Sequence, residues 1–143
     1  MHISRVAIIT DEIYAAFQRL IPQLTTNVPP PTRVDLEDLV AFAGSVLLIA
    51  RLSENSSIVG VATLSLVRAP TGIHARLEDV VVDNAVRGQG VGAALTDEVI
   101  RLAREMGANY LALTSNPRRE AANRLYQRLG FKRWETNVYR FDL

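Results

Sequence analysis

The chain has 143 residues, 48% of them hydrophobic and 22% charged, and a formal net charge of +1. That is the size and profile of one globular domain with a substantial core, neither disordered nor fibrous. The sequence contains no cysteine and only two histidines, His2 and His74, which excludes disulfides, a cysteine nucleophile, thiolate metal sites and a histidine-rich metal centre.

No apolar run approaches the ~20 residues of a membrane span. The opening Met1-His2-Ile3-Ser4-Arg5 has no apolar signal-peptide core. A cytoplasmic protein that does not enter a membrane is expected.

Residues 3–9 read as a first strand. Thr10 is placed to cap a helix with Asp11 and Glu12 in its first turn, and Ile13, Phe17, Leu20 and Leu24 recur at helical spacing. Pro22 is expected to kink or end it, and the proline-rich residues 25–31 form a loop. Residues 32–43 suggest a short helix bearing Leu36, Leu39, Val40 and Phe42, closed by Gly44. Residues 45–52 form a strand without alternation, hence buried on both faces. Residues 58–67 pair with it as a hairpin across the turn at 54–57. A second turn at 69–72 leads to a strand over 74–83.

Residues 88–106 make the strongest helix, with Val91, Ala94, Leu95, Val99, Leu102, Ala103 and Met106 on one stripe. Gly107 caps it. A strand over 110–114 follows, then a helix opening at Ser115-Asn116-Pro117 and running to about Leu129, where Gly130 ends it. Residues 132–141 read as a final strand or strand pair. No repeat or linker interrupts this order. It predicts a single domain over residues 1–143 of mixed α/β class, a central mixed sheet flanked by helices.

Val80-Val81-Val82-Asp83 leads into Asn84-Ala85-Val86-Arg87-Gly88-Gln89-Gly90-Val91-Gly92-Ala93, an apolar β-branched run ending in a turn with three alternate glycines. Glycines let the backbone approach a ligand closely. The helix after the turn offers unpaired N–H groups and the positive end of its dipole, an anion site suited to phosphate. Arg87 adds a full charge of matching geometry. The turn also satisfies the dinucleotide pattern G-x-G-x-x-A. A dinucleotide fold, however, needs an acidic residue at the end of the next strand, about twenty residues on, and Leu111-Ala112-Leu113-Thr114 has none. A P-loop fails because no Lys-Ser or Lys-Thr follows.

Arg87-Gly88-Gln89-Gly90-Val91-Gly92 matches R/Q-x-x-G-x-G/A, and the stretch from Ala122 through Leu125-Tyr126 to Leu129-Gly130-Phe131 matches A-x-x-L-Y-x-x-L-G-F. In this order and spacing they resemble the GNAT superfamily of acetyl-CoA-dependent N-acetyltransferases. Leu77-Glu78-Asp79-Val80-Val81-Val82-Asp83 looks like that family's fourth strand. The likeness spans roughly residues 76 to 131. One position departs: where the family often has asparagine, seven residues before the tyrosine, this chain has Arg119.

The resemblance implies a GNAT-like acyl-CoA N-acyltransferase fold with splayed fourth and fifth strands. It implies acetyl-CoA as the acetyl donor, its pyrophosphate on the N–H groups of Gln89, Gly90, Val91, Gly92 and Ala93 beside Arg87 and Gly88. Its pantetheine would pair with the backbone of Val80, Val81 and Val82, and Arg118, Arg119 or Arg124 would reach the 3′-phosphate. By the same resemblance Tyr126 is the general acid toward sulfur. Glu78 and Asp79 are the candidates for removing the amine's proton. Because side chains alternate along a strand, only one of them is expected to face the acceptor, and the longer Glu78 is preferred.

The activity so implied is transfer of an acetyl group to a primary amine of a small molecule or peptide in a ternary complex. The competing reading is a noncatalytic acetyl-CoA-binding sensor on the same fold. From Arg101 onward basic residues outnumber acidic ones, which suits a polyanionic ligand or a solvated helix face. Aromatic residues are few there and no nucleic-acid motif is present, so no nucleic-acid partner is expected. A homodimer is compatible with the sequence. The resemblance implies that residues 25–33, between the first two helices, and the strand hairpins shape the acceptor site.

Overall fold

In the computed structural model, which describes residues 1–143, the strand Ser45–Arg51 (β2) sends Val46, Leu48 and Ala50 into one apolar cluster and Leu47 and Ile49 into another. A strand buried on both faces needs a layer on each side. Helices Asp11–Leu24 (α1) and Arg33–Ala41 (α2) supply one, through Ile13, Phe17, Leu20 and Leu36. Helices Val91–Glu105 (α3) and Glu120–Arg128 (α4) supply the other, through Leu95, Val99 and Tyr126.

The sheet between them has five strands in chain order, His2–Arg5 (β1), β2, Ile58–Ala69 (β3), Gly72–Val82 (β4) and Tyr110–Ala112 (β5). The first four are antiparallel and β5 runs parallel to β4, so the sheet is mixed, as expected. β5 pairs with β4 only through His74↔Tyr110, Ala75↔Leu111 and Arg76↔Ala112. Beyond Arg76, β4 continues to Val82 with no neighbour on that side. This is the splay implied by the family resemblance.

A bulge in β4 sets which way the last residues of that strand face. The register with β3 passes from Thr63↔Glu78 to Val61↔Val81, so Asp79 and Val80 oppose the single Ala62. Asp79 takes φ +50°, and no other non-glycine residue has positive φ. An inserted residue reverses the alternation beyond it. Ala75 and Leu77 accordingly lie in the α3 cluster, while Val81, of the same parity, lies in the α1 cluster.

Several boundaries differ from the sequence reading. β1 ends at Arg5, and Val6 and Ile9 turn into the core instead. α1 passes Pro22 and ends at Leu24: the proline forfeits the one bond its N–H would have made to the Gln18 carbonyl, and the helix stops two residues on, where the Thr25 N–H still reaches the Ile21 carbonyl at 3.0 Å. α2 opens with a capping box: the Asp35 N–H donates to Thr32 Oγ1 at 3.1 Å and the Thr32 N–H to Asp35 Oδ2 at 2.8 Å. α4 starts at Glu120, because the Asn116 side chain accepts from the Arg118 N–H at 2.9 Å and holds a turn in place of a helical start. The expected final strand over 132–141 is not formed. After the Phe131 N–H bonds to the Tyr126 carbonyl at 3.0 Å, no backbone group of residues 132–143 is paired, and the segment is exposed throughout.

Candidate active site

The glycine turn is anchored before it opens. At the end of β4, Asp83 accepts from the Ala85 N–H at 3.0 Å and from Arg19 Nε at 3.3 Å, which hold its carboxyl below the usual range, and the Asn84 N–H donates to Gln23 Oε1 at 2.9 Å. A short 3₁₀ turn, Asn84–Val86, comes next. Gly88 and Gly90 then adopt φ +79° and +83°, conformations natural to glycine, and a Cβ at either would meet no atom within 4 Å. The helix α3 therefore starts at Val91, later than expected, with Gly90 as its cap.

Its first internal bond is from the Ala94 N–H to the Gly90 carbonyl at 3.0 Å, and the N–H groups of residues 87–93 find no acceptor in the chain. Arg87 is exposed and joins no ion pair. This cluster of unpaired donors beside a free cation is built to receive an anion. Gly92 has a second reason to be glycine: a Cβ there would lie 3.1 Å from Leu125 Cδ2, so its absence lets α3 pack on α4.

Val80 and Val82 border the split in the sheet. The Asp83 N–H donates to the Val59 carbonyl at 2.8 Å, on the β3 side. Backbone groups alternate edges along a strand, so those of Val80 and Val82 face the gap, whereas Val81 is turned toward β3 and its side chain is buried beneath α1.

At the other end of the gap lies a cavity of about 160 Å³. Glu78, Asp79 and Val80 line it from β4, Leu113, Thr114 and Ser115 from the chain after β5, Arg119 and Tyr126 from α4, and Leu24 from the end of α1. The bulge overturns the expected alternation of the two acids: both reach the same cavity. Glu78 is held by Arg76, whose Nε donates to Oε1 at 2.7 Å. Asp79 keeps one side to solvent, but its packed side desolvates it, and burial followed by the charge of Glu78 raises its carboxyl pKa above the usual value. Burial likewise raises the Tyr126 phenol, with the Arg119 cation opposing it. The Tyr126 ring is fixed edge-on against Phe131, centroids 5.7 Å apart.

Ser115 was not singled out from the sequence; its buried hydroxyl has no hydrogen-bond partner. Its position just past a strand end was the only signal available. His74 stacks on Tyr110 at 4.8 Å and meets Thr71 Oγ1 at 3.0 Å, away from the cavity. A larger depression of about 420 Å³, formed by Pro22 and residues 25–30, carries no ionisable group and so no means of proton transfer.

A sheet split between parallel neighbours, with an amide-lined turn at one end and acids facing a buried phenol at the other, defines an acyl-transfer domain of mixed α/β type. Comparison with known proteins agrees: residues 12–131 match the acetyltransferase (GNAT) family, and the chain belongs to that family. By family it is an acyltransferase. It is 31% identical over 125 residues to glucosamine 6-phosphate N-acetyltransferase of Trypanosoma brucei brucei, covering 82% of each chain. It is 34% identical over 115 residues to human N-acetyltransferase 8B, covering 76% of this chain but only half of the human protein. A Trypanosoma brucei acetyltransferase structure superposes with a TM-score of 0.77 at 28% identity, over 99% of this chain and 100% of that one. An Agrobacterium tumefaciens structure superposes at 0.85 with 21% identity, over 99% and 100%, a likeness of fold. No helix of the chain is long and apolar enough to cross a membrane.

Proposed function

We propose that the chain is an acetyl-CoA-dependent N-acetyltransferase acting on a primary amine within a ternary complex. The observation that carries this is the run of unpaired N–H groups over residues 87–93, opening beside the same gap that holds Tyr126, Glu78 and Asp79. These residues fit the donor. The open turn at Gly88 and Gly90 with Arg87 suits a pyrophosphate, the free backbone of Val80 and Val82 suits an amide-bearing arm, and the unpartnered Ser115 hydroxyl offers a hydrogen bond at the far end. Acetyl-CoA supplies an activated thioester. Arg119 opens onto the cavity rather than the glycine turn, so its cation serves the reacting end in this reading.

The amine nitrogen attacks the thioester carbonyl carbon, the carbon–sulfur bond breaks, and sulfur takes a proton from the Tyr126 hydroxyl. The amine's surplus proton passes to a carboxylate. Glu78, preferred from the sequence, is already engaged by Arg76. Asp79 makes no ion pair and lines the same cavity, and burial with the neighbouring Glu78 charge raises its pKa, which favours proton uptake, so we assign the role to Asp79. Leu24 on the cavity wall supports a reading in which the loop that follows it, residues 25–33, borders the acceptor's entrance. The relative named for glucosamine 6-phosphate supports an amine as the acceptor. We place the activity in the cytoplasm. Acetyl-CoA consumption measured across amino sugars, polyamines, amino acids and lysine peptides tests the proposal. Amine-dependent turnover is expected; binding of acetyl-CoA without turnover of any amine would leave a sensor.

A further inference from the structure

The Arg76 guanidinium is fixed at one end and open at the other. Its Nε donates to Glu78 Oε1 at 2.7 Å, and neither terminal nitrogen has a partner in the chain. Arg33, Arg51 and Arg101 instead engage both terminal nitrogens. The terminal N–H groups of Arg76 form the fork that matches a carboxylate or a phosphate, and here they are uncommitted.

The sheet decides what that fork faces. Ala75 and Leu77 are buried in the α3 cluster, so Arg76 and Glu78 point to the opposite side, the side of α1 and α2. Their cross-strand neighbours Ser65 and Thr63 share that face. Farther along β3, Val61 is buried in the α1 cluster, but none of Thr63, Ser65, Arg76 and Glu78 is buried. The helices therefore leave a polar shelf over this part of β3 and β4. Glu78 belongs to the shelf and to the cavity wall, so the two are continuous. The Arg76 side chain is 40% exposed there, and a partly withdrawn charge is screened less than one on open surface. A guanidinium already oriented by Glu78 also loses little freedom when it binds a second partner.

We propose that Arg76 selects the acceptor. Its terminal N–H groups bind an anionic group, carboxylate or phosphate, carried by the same molecule whose amine enters the cavity. This rests on the N-acetyltransferase reading. Arg76 and Glu78 stand two residues apart on one strand, about 7 Å, so the anion lies several bonds from the amine. The substrate class is an amine with a distant negative charge: the ammonium meets Asp79 and the anion meets Arg76. An α-amino acid, with both charges on one carbon, is too short.

Matched amines test this. Rates at saturating acetyl-CoA are measured for 6-aminohexanoate against hexylamine, which reads a carboxylate, and for glucosamine 6-phosphate against glucosamine, which reads a phosphate. The natural chain is expected to favour the charged member of at least one pair by at least about tenfold in kcat/KM, most of it in KM. In Arg76→Gln that ratio should fall to about one. In Arg76→Lys, which keeps the charge without the fork, it should fall between the two. Equal kcat/KM within both pairs overturns the proposal and leaves the N-acetyltransferase reading standing. So does a preference that Arg76→Gln preserves, or turnover of other amines with neither charged probe accepted. If Arg76→Gln fails to fold, Arg76→Lys decides: a preference as strong as the natural chain's overturns the assignment. Turnover of no amine at all overturns both readings together.

Discussion

Glu78 and Asp79 are consecutive residues of one strand, yet both open onto the same cavity, because Asp79 takes φ +50° at a bulge opposite Ala62. Aspartate is among the few side chains that tolerate this left-handed region. Bulges of this kind re-aim side chains next to active sites, and this one brings two carboxylates to one cavity.

The two acids are separable by substitution. A lysine-like ammonium has a pKa of about 10.4 and must lose a proton before it attacks. Asp79→Asn is expected to lower kcat/KM at pH 7 by about a hundredfold, the lower end of acid–base contributions. Raising the pH should recover part of that loss as free amine accumulates. Glu78→Gln should do much less. Reversed effects would return the role to Glu78, and two silent substitutions would make both acids structural.

The same carboxyl affects stability, with a definite sign. Burial and Glu78 raise the Asp79 pKa in the folded chain, so the folded state holds the proton more tightly than the unfolded one. Stability from this group is present below the unfolded value of about 3.9 and is lost as pH rises through the raised folded value. Asp79→Asn should therefore raise Tm at pH 7, and the difference should close as the pH falls below about 4. Thermal melts at the two pH values read this directly; a lower Tm at pH 7 would show that the carboxylate is held by favourable contacts.

Tyr126→Phe keeps the ring packed on Phe131 and removes only the hydroxyl. The expected result is a fall in kcat of about ten- to a thousandfold with little change in acetyl-CoA affinity. Because burial raises the phenol above its usual pKa of about 10, no descending limb below that pH should trace to Tyr126. An equally active Phe variant would leave Tyr126 as a core residue.

Substitutions in the glycine turn test donor binding without any acceptor. At a hundredfold excess over Kd, acetyl-CoA should stabilise the fold by about 2.7 kcal/mol. Gly90→Asp should abolish the resulting thermal shift, since it adds negative charge to the amide cluster. Gly90→Ala carries the same backbone strain at φ +83° without the charge and should retain part of the shift. Arg87→Ala should weaken binding by about tenfold and reduce its salt dependence, as loss of one charge-assisted contact does. An unchanged shift in Gly90→Asp would place the donor elsewhere.

The unbroken apolar run from Val46 to Ala50, the stripe along Val91 to Leu102, and the glycines ahead of Val91 are short-range patterns. Local sterics and spacing make them readable, and with them most of the order of elements, the glycine turn and the motif around Tyr126. Pairing is different, because it depends on which residues lie opposite. Nothing near Asp79 in the chain announces that Ala62 will face two residues of β4, so the strict alternation expected there could not hold. Nor does a local signal bring Arg76 to Glu78 or Ser115 to the cavity. Over residues 132–143, the strand pattern at Tyr139, Phe141 and Leu143 is legible in the sequence, since alternation belongs to the segment itself. Whether that strand finds a sheet is decided by tertiary structure, because a strand is stabilised by its neighbour's backbone and side chains, and in this chain no neighbour lies beside it.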